Sequence, residues 1–330
     1  MKKNLFKALT IIMALMFILC SCNSNASSSV NSGVDSVSSE DASLPSEKNY
    51  VIGVSMKTLS DQFPKAIADA IEAKAEELGN VEIIMTDAQA DVATQLSQVE
   101  NLIAQNVDAI ILNAQDANGL GSAVDACVEA GIPVIECNTK TENENYVTYV
   151  GSSDVEAGRL QGEFIKEALG GEGQVAIMYG AMGQSGQIGR KQGVDEALLN
   201  VCPDIELVAD QTADWQRDEA MRLAEDWLLR FPELDAIMCQ NDDMAMGAIQ
   251  AVEAAGKQDE VLVVGVDAIS DALQAVKSGQ LACTVFQNAE GQGIGALEAA
   301  IQVIDGETLD KEILIPFELV TQENVDEFIA

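Results

Sequence analysis

From residue 50 onward the sequence alternates between short apolar runs rich in β-branched residues and longer stretches with helical periodicity. The run 261–266 (VLVVGV) is apolar on both faces, as a strand buried between two layers of helices must be. Strands and helices that alternate in this way build parallel sheets covered on both sides. We therefore predict an α/β fold of doubly wound parallel sheets. The predicted strands are 50–55, 81–86, 109–112, 133–137, 146–151, 174–179, 205–209, 236–240, 261–266 and 282–286. The predicted helices are 63–78, 91–105, 118–130, 155–168, 188–199, 216–229, 244–255, 272–277 and 291–304.

The first 22 residues have the order of an export signal. Three lysines, Lys2, Lys3 and Lys7, precede an apolar run at 8–20, and Ser21-Cys22 follows that run. The run is too short to span a hydrocarbon core of about 30 Å, and the small residue before Cys22 resembles the cleavage box of bacterial lipoproteins. We predict a lipoprotein signal peptide at 1–22 with Cys22 lipidated on the outer face of the cytoplasmic membrane. A plain secretory signal, in which Cys22 has no role, is the alternative.

The segment 23–48 contains ten serines and no aromatic residue. Such a composition cannot bury enough apolar surface to offset the entropy of ordering the chain, so it predicts a flexible tether. As a coil of this length it would reach roughly 28 Å. We expect the membrane to be contacted only through the lipid anchor.

Charge and composition exclude several function classes. Lys and Arg total 18 against 54 Asp and Glu, for a net charge of -36 in a chain of 330 residues, which argues against nucleic acid as a partner. The absence of His removes His-based catalytic triads and His metal sites. The glycine-rich segment 171–173 precedes a predicted strand instead of following one, and the segment 291–295 lies within a predicted helix, so neither is a dinucleotide turn. We expect no metal, no cofactor and no enzymatic activity.

Five cysteines lie beyond the signal segment, and none has the spacing of a metal site. Most fall in apolar runs, where an unpaired thiol behaves as a small hydrophobic side chain. We predict buried free thiols at Cys127, Cys137, Cys202, Cys239 and Cys283.

Ligands of parallel α/β sheets bind beyond the carboxyl ends of the strands. In this chain the residues that follow the predicted strands are rich in Asp, Asn and Gln and include two scarce aromatics, Phe63 and Trp215. Carboxylates and amides pair with vicinal hydroxyls, and an aromatic face packs on the C–H side of a sugar ring. The inventory predicts polyol binding. For any single Asp or Asn the alternative is a helix N-cap, and we assign that role to Asp242.

Three segments resemble the ribose/galactose type of periplasmic sugar-binding proteins of ABC importers: 240–247 (QNDDMAMG), 264–267 (VGVD) and 283–287 (CTVFQ). The resemblance covers residues 50 to about 320. It implies a type I periplasmic-binding fold, with ligand contacts at Asn241, Asp267, Gln287, Arg190 and Trp215.

The segment 61–63 (DQF) and Asn138 are similar to the glucose/galactose binders, which implies contacts from Asp61, Phe63 and Asn138. Gln184 and Gly186 stand where those binders have His and Asp, so the identity of the sugar is open. Lys57 and Gln184 are further candidates for ligand contact. For Lys57 we favour an internal ion pair with Asp61 or Glu136 over recognition of an acidic sugar.

The resemblance implies two lobes joined by three crossovers, which we place at 49–152 plus 288–316 and at 153–287 plus 317–330. It also implies a monomer that captures a monosaccharide and delivers it to an ABC permease and its ATPase. A glucose- or galactose-like hexose is the favoured ligand, and inositol, a pentose or a uronate are alternatives. Two other functions remain open: a sugar sensor for a membrane receptor or kinase and, more remotely, an exported sugar-modifying enzyme.

Overall fold

The computed structural model describes residues 48–329, and the predicted signal peptide, Cys22 and all of the predicted tether except Lys48 lie outside this range. Lys48 is anchored, since its Nζ donates to Asp305 Oδ1 at 2.6 Å and to the Ile304 carbonyl at 3.2 Å. In the described part of the chain, no helix is both long and apolar enough to cross a membrane.

The described residues form an alternating series of strands and helices. The strands are β1 (Tyr50–Met56), β2 (Val81–Asp87), β3 (Ala109–Leu112), β4 (Val134–Cys137), β5 (Thr148–Gly151), β6 (Glu172–Tyr179), β7 (Asp204–Thr212), β8 (Leu234–Cys239), β9 (Leu262–Val264), β10 (Thr284–Phe286), β11 (Glu312–Leu314) and β12 (Glu318–Val320). The helices are α1 (Gln62–Leu78), α2 (Val92–Ala104), α3 (Gly121–Ala130), α4 (Asp154–Ala168), α5 (Ser185–Val194), α6 (Arg217–Arg230), α7 (Asp242–Ala254), α8 (Ser270–Ser278) and α9 (Ala289–Ile304). A π-helical turn, Asp195–Leu199, extends α5, and a 3₁₀ turn, Val325–Glu327, follows β12.

The first sheet has six parallel strands in the order β11-β5-β4-β3-β1-β2. One face packs against α1 and α9 through residues such as Ile67, Ile71 and Leu297, and the other packs against α2 and α3 through Leu102 and Val124. Apolar side chains therefore cover both faces, as doubly wound sheets require. We call this sheet and its helices the first lobe.

The second sheet has four parallel strands in the order β7-β6-β8-β9. Helices α6, α7 and α8 cover one face through residues such as Trp227 and Val252, and α4 and α5 cover the other through Ile165 and Val194. Parallel bridges continue the sheet from β9 toward β10, whose partner on the other side is β12. We call this sheet, with β10, β12 and its helices, the second lobe.

The chain passes between the lobes three times: after β5, after β10 and between β11 and β12. The prediction of two doubly wound domains joined by three connections is confirmed. One detail differs, because β12 is antiparallel to β10. β11 and β12 are strands of three residues each and were not predicted, since so short a segment shows no periodicity.

The predicted strands and helices all have counterparts, and their ends differ by at most three residues when the π-helical turn Asp195–Leu199 is counted with α5. The thiol prediction is also confirmed, because all five cysteines are buried and unpaired.

Candidate functional site

A cavity lies between the lobes, at the carboxyl ends of the strands of both sheets. All ten residues predicted from the sequence as ligand contacts or further candidates line it: Lys57, Asp61, Phe63, Asn138, Gln184, Arg190, Trp215, Asn241, Asp267 and Gln287. Five others complete the lining: Pro64, Thr139, Asp154, Gly186 and Asp243. The residues predicted from the strand-end rule, together with Arg190 from the family resemblance, therefore line one continuous wall, to which each lobe contributes.

Arg190, on α5, is held by groups of the second lobe. Its Nε donates to Asp154 Oδ1 at 3.2 Å, its Nη2 donates to Gln287 Oε1 at 3.1 Å, and its Nη1 donates to the Gln240 carbonyl. Burial raises the pKa of Asp154, and the neighbouring Arg190 charge opposes that effect. The close packing of α4 on α5 requires Gly158, because a Cβ there would overlap the Arg190 carbonyl. The guanidinium is thus fixed before any ligand arrives.

Two carboxylates in the cavity have unused hydrogen-bonding capacity. Asp61 stands at the N-cap position of α1 without capping it, and within the described residues its carboxylate accepts only two hydrogen bonds, both of 3.5 Å, from Ser60 and Gln216. The Asp267 carboxylate accepts no hydrogen bond from the described residues, although Asp267 is only 8% exposed. Burial raises the pKa of both groups. Each is positioned to accept a hydrogen bond from a ligand.

The Trp215 ring lies in the cavity wall near both cationic side chains. Lys57 Nζ is 5.8 Å and Arg190 Cζ is 5.6 Å from its centroid, within the range of cation–π attraction. The ring occupies this place because Gly180 has no side chain, since a Cβ there would overlap it. Phe63, the other aromatic of the lining, packs partly against the core of the first lobe.

Lys57 forms neither of the ion pairs that the sequence favoured. Its Nζ donates to Gln184 Oε1 at 3.0 Å, and Glu136 instead accepts from the Thr141 amide and hydroxyl. Burial lowers the pKa of Lys57 to about 8, and Asp61 opposes this effect through space. The remaining N–H groups of the ammonium are available to a ligand oxygen.

The cap of α7 is Asn241, not Asp242. Asn241 Oδ1 accepts from the Met244 amide at 3.0 Å, whereas the Asp242 carboxylate accepts from Thr284 Oγ1 at 2.8 Å and from the Ile269 amide at 3.0 Å. The predicted capping role of Asp242 is therefore wrong. Two adjacent acidic or amide residues at a helix start are equally good cap candidates by sequence, and only the backbone decides between them.

Three site residues have a backbone conformation that side chains rarely adopt. Asn138 and Trp215 both have φ of 65°, and Asp267 has φ of 123°. Such conformations cost of order 1–3 kcal/mol each and cluster at binding sites. The strain is an independent indication that this cavity is the functional site.

The sequence prediction missed Asp154 and Asp243. Asp154 comes shortly after β5, so the strand-end rule could have found it. Asp243 lines the cavity and pairs with Arg217 at 2.8 Å.

Comparison with known proteins gives consistent matches over most of the chain. A model described as a periplasmic binding protein domain matches residues 52–308. A putative rhizopine-binding protein of Rhizobium meliloti is 38% identical over 283 residues, which cover 84% of this chain and 92% of that protein. The ribose import binding protein of Bacillus subtilis is 32% identical over 322 residues, covering 96% of this chain and 99% of that one.

One of the similar solved structures covers most of this chain. It is an ABC transporter solute-binding protein from Bacillus halodurans with bound myo-inositol, 41% identical, with a TM-score of 0.82 and coverage of 86% of this chain and 99% of that one.

Proposed function

The chain belongs to the ribose-type periplasmic sugar-binding proteins of ABC importers, and from that premise we propose that its ligand is a neutral polyol ring. Proteins of this family act outside the cytoplasmic membrane. We propose that the chain delivers this ligand to a permease driven by an ATPase.

The observation that carries the proposal is the pair of carboxylates with open acceptor capacity, Asp61 from the first lobe and Asp267 from the second. A ring whose hydroxyls donate to both would bridge the lobes. Arg190 and Lys57 offer N–H donors to the oxygens of the same hydroxyls. The Trp215 ring offers a face to the C–H groups between them.

The charge of the lining supports a neutral ligand over an anionic one. Four carboxyl groups line the cavity, those of Asp61, Asp154, Asp243 and Asp267, against the two cations Lys57 and Arg190. A uronate would add a further negative charge to this excess of acidic groups. We therefore place acidic sugars last among the candidates.

Two six-membered rings fit this chemistry. The likeness of Asp61, Phe63 and Asn138 to glucose/galactose sites supports a hexopyranose, and the solved relative that holds myo-inositol at 41% identity supports a cyclitol. We take myo-inositol as the first probe and glucose and galactose as the second.

We propose hinge closure as the mechanism. The lobes 49–152 plus 288–316 and 153–287 plus 317–330 would rotate about the three connections, and the ligand would stabilise the closed form by contacts that the open form lacks. The permease would recognise that closed form. We further propose that Cys22 carries a lipid that holds the chain at the membrane.

The test is a thermal-shift and calorimetry panel of myo-inositol, glucose, galactose, ribose, xylitol and glucuronate. A ligand at about 100 times its dissociation constant adds roughly 2.7 kcal/mol to the free energy of unfolding, which raises the melting temperature by several degrees. We expect that shift with myo-inositol or a neutral hexose. A shift with glucuronate alone, or none at all, would contradict the proposal. Recovery of chemically unchanged ligand tests the enzyme alternative.

A further inference from the structure

Three consecutive residues at the start of α5 hydrogen-bond to the first lobe. The Gly183 carbonyl accepts from the Ala117 amide at 3.1 Å, and Ser185 Oγ accepts from the Lys140 amide at 3.0 Å. Between them, the Gln184 side chain contacts Lys57 and Gln115. We call residues 183–185 the clasp. All of its hydrogen bonds named here join protein groups of the two lobes.

The Gln184 side-chain amide can form four hydrogen bonds, and three of them are made with protein groups. Its Oε1 accepts both from Lys57 Nζ at 3.0 Å and from Trp215 Nε1 at 3.0 Å, and its Nε2 donates to Gln115 Oε1 at 3.2 Å. Lys57 and Gln115 belong to the first lobe and Trp215 to the second. A single carbonyl oxygen therefore joins two cavity-lining side chains from opposite lobes.

Local geometry directs the Gln184 side chain across the interface. Gln184 occupies the N-cap position of α5 with extended backbone, yet its side chain makes no cap hydrogen bond and is 2% exposed. Gly183 has φ of 92°, and a Cβ there would overlap the Asp116 carboxylate of the first lobe. The loop can approach the first lobe this closely only because residue 183 is a glycine.

We propose that Gln184 is a positioning residue: when the lobes close, it fixes Lys57 and Trp215 against each other and so sets the donor and the ring face that the ligand meets. This rests on the proposed function, and it replaces acceptance of a ligand hydroxyl as the role of the Gln184 carbonyl. Both lone pairs of Oε1 are already used, so a ligand hydroxyl finds no free acceptor there.

The test compares Gln184→Leu with Gln192→Leu, a matched change on an exposed position of the same helix. Affinity for the polyol that the panel identifies is measured by calorimetry, and the radius of gyration of the unliganded chain by X-ray scattering. We expect Gln184→Leu to lower affinity about tenfold or more and to increase the radius of gyration, because the hydrogen bonds across the lobes are lost. Gln192→Leu should leave both quantities unchanged.

Gln184→Glu is the conservative variant, and it should restore the affinity that Gln184→Leu loses. A carboxylate retains two acceptors for Lys57 and Trp215, so we expect affinity within about threefold of the original chain. Its charge should also keep Lys57 protonated to higher pH, and any alkaline loss of affinity should move upward accordingly.

The outcomes separate this inference from the proposed function. If the chain binds a neutral polyol but Gln184→Leu behaves as Gln192→Leu in both affinity and radius of gyration, the positioning role is wrong and the function stands. If no polyol binds, the proposed function fails, and the radius of gyration alone decides: equal values for the two variants overturn the clasp, and a larger value for Gln184→Leu supports it.

Discussion

Arg190 is held in the cavity by groups of its own lobe, whereas Lys57 is held by a group of the opposite lobe. The partners of Arg190 are Asp154, Gln240 and Gln287, all in the second lobe. The partner of Lys57 is Gln184, across the interface. In the proposed hinge motion the first arrangement would persist in the open form, and the second would exist only in the shut form. The second lobe's part of the site is then preformed in both forms, whereas the first lobe's part is complete only when the clasp holds the cleft shut.

Arg190→Ala should have the largest effect on stability and affinity, because it removes the guanidinium that Asp154, Gln240 and Gln287 hold in the second lobe. Asp154 is left as a buried charge without its partner, and breaking such a pair costs about 3–5 kcal/mol of stability. Ligand affinity should fall by more than a hundredfold. Urea unfolding and calorimetry measure the two effects.

Arg159→Ala is the control for this change. Arg159 lies on α4 and pairs with Glu156 and Glu163 on the exposed surface. Its loss should cost less than about 1 kcal/mol. Equal destabilisation by the two variants would show that the Arg190 cluster has no special structural role.

Asp267→Asn tests the second lobe's part of the cavity. It removes no hydrogen bond within the described residues, because the Asp267 carboxylate accepts none there. Hydrogen bonds to a charged acceptor contribute about 1.5–3 kcal/mol, so affinity should fall roughly 10- to 100-fold. Stability should hold or rise, because burial raises the pKa of Asp267 well above its ordinary value and the charge is therefore unfavourable in the folded chain. A folded variant with unchanged affinity would remove Asp267 from the site.

Lys57→Met tests the first lobe's part of the cavity, and we expect it to lower ligand affinity about tenfold. Lys57 should also make the stability of the chain depend on pH. Burial, with Arg190 adding to it and Asp61, Asp154 and Asp267 opposing, lowers the pKa of Lys57 from 10.5 to about 8. The folded chain therefore releases this proton first, and between about pH 8 and 10.5 the unfolded chain binds more protons.

The contribution of Lys57 to stability must then rise with pH through that window. The free energy of unfolding of the original chain, measured relative to Lys57→Met, should increase from about pH 8 upward. Taking the difference between the two chains cancels the titration of the buried thiols. A difference that stays flat from pH 7 to 10 would mean that Lys57 is not desolvated.

Gln62→Ala should have the smallest effect. Gln62 Nε2 donates to Asp243 Oδ1 at 3.3 Å across the rim of the cleft, where both side chains contact solvent. An exposed hydrogen bond of this kind contributes at most about 0.5 kcal/mol, so affinity should change by no more than about twofold. A tenfold loss of affinity would mean that the hydrogen bond at the rim, and not the contacts of Gln184, holds the lobes together.

The positions of most site residues followed from the sequence because one rule covers them, whereas Arg190, within α5, followed from the family resemblance. Asp267 and Gln287 each come directly after an apolar strand-like run, and parallel topology brings such ends to one edge of a sheet. Their side-chain partners did not follow in the same way. The bond from Lys57 to Gln184 joins residues 127 positions apart in different lobes, and no local pattern encodes it. The sequence favoured a charged partner for Lys57, and the structure supplies a neutral amide.

The discontinuity of the first lobe has a consequence for how the chain acquires its structure. Helix α9 and strand β11 complete that lobe, yet they follow the whole second sheet in the chain. Until they emerge, β5 presents an unpaired edge, and Ile67 and Ile71 lack the cover of α9. Exposed edges and apolar faces of this kind promote aggregation. The chain is therefore most exposed to self-association during synthesis, until α9 and β11 are available to complete the first lobe.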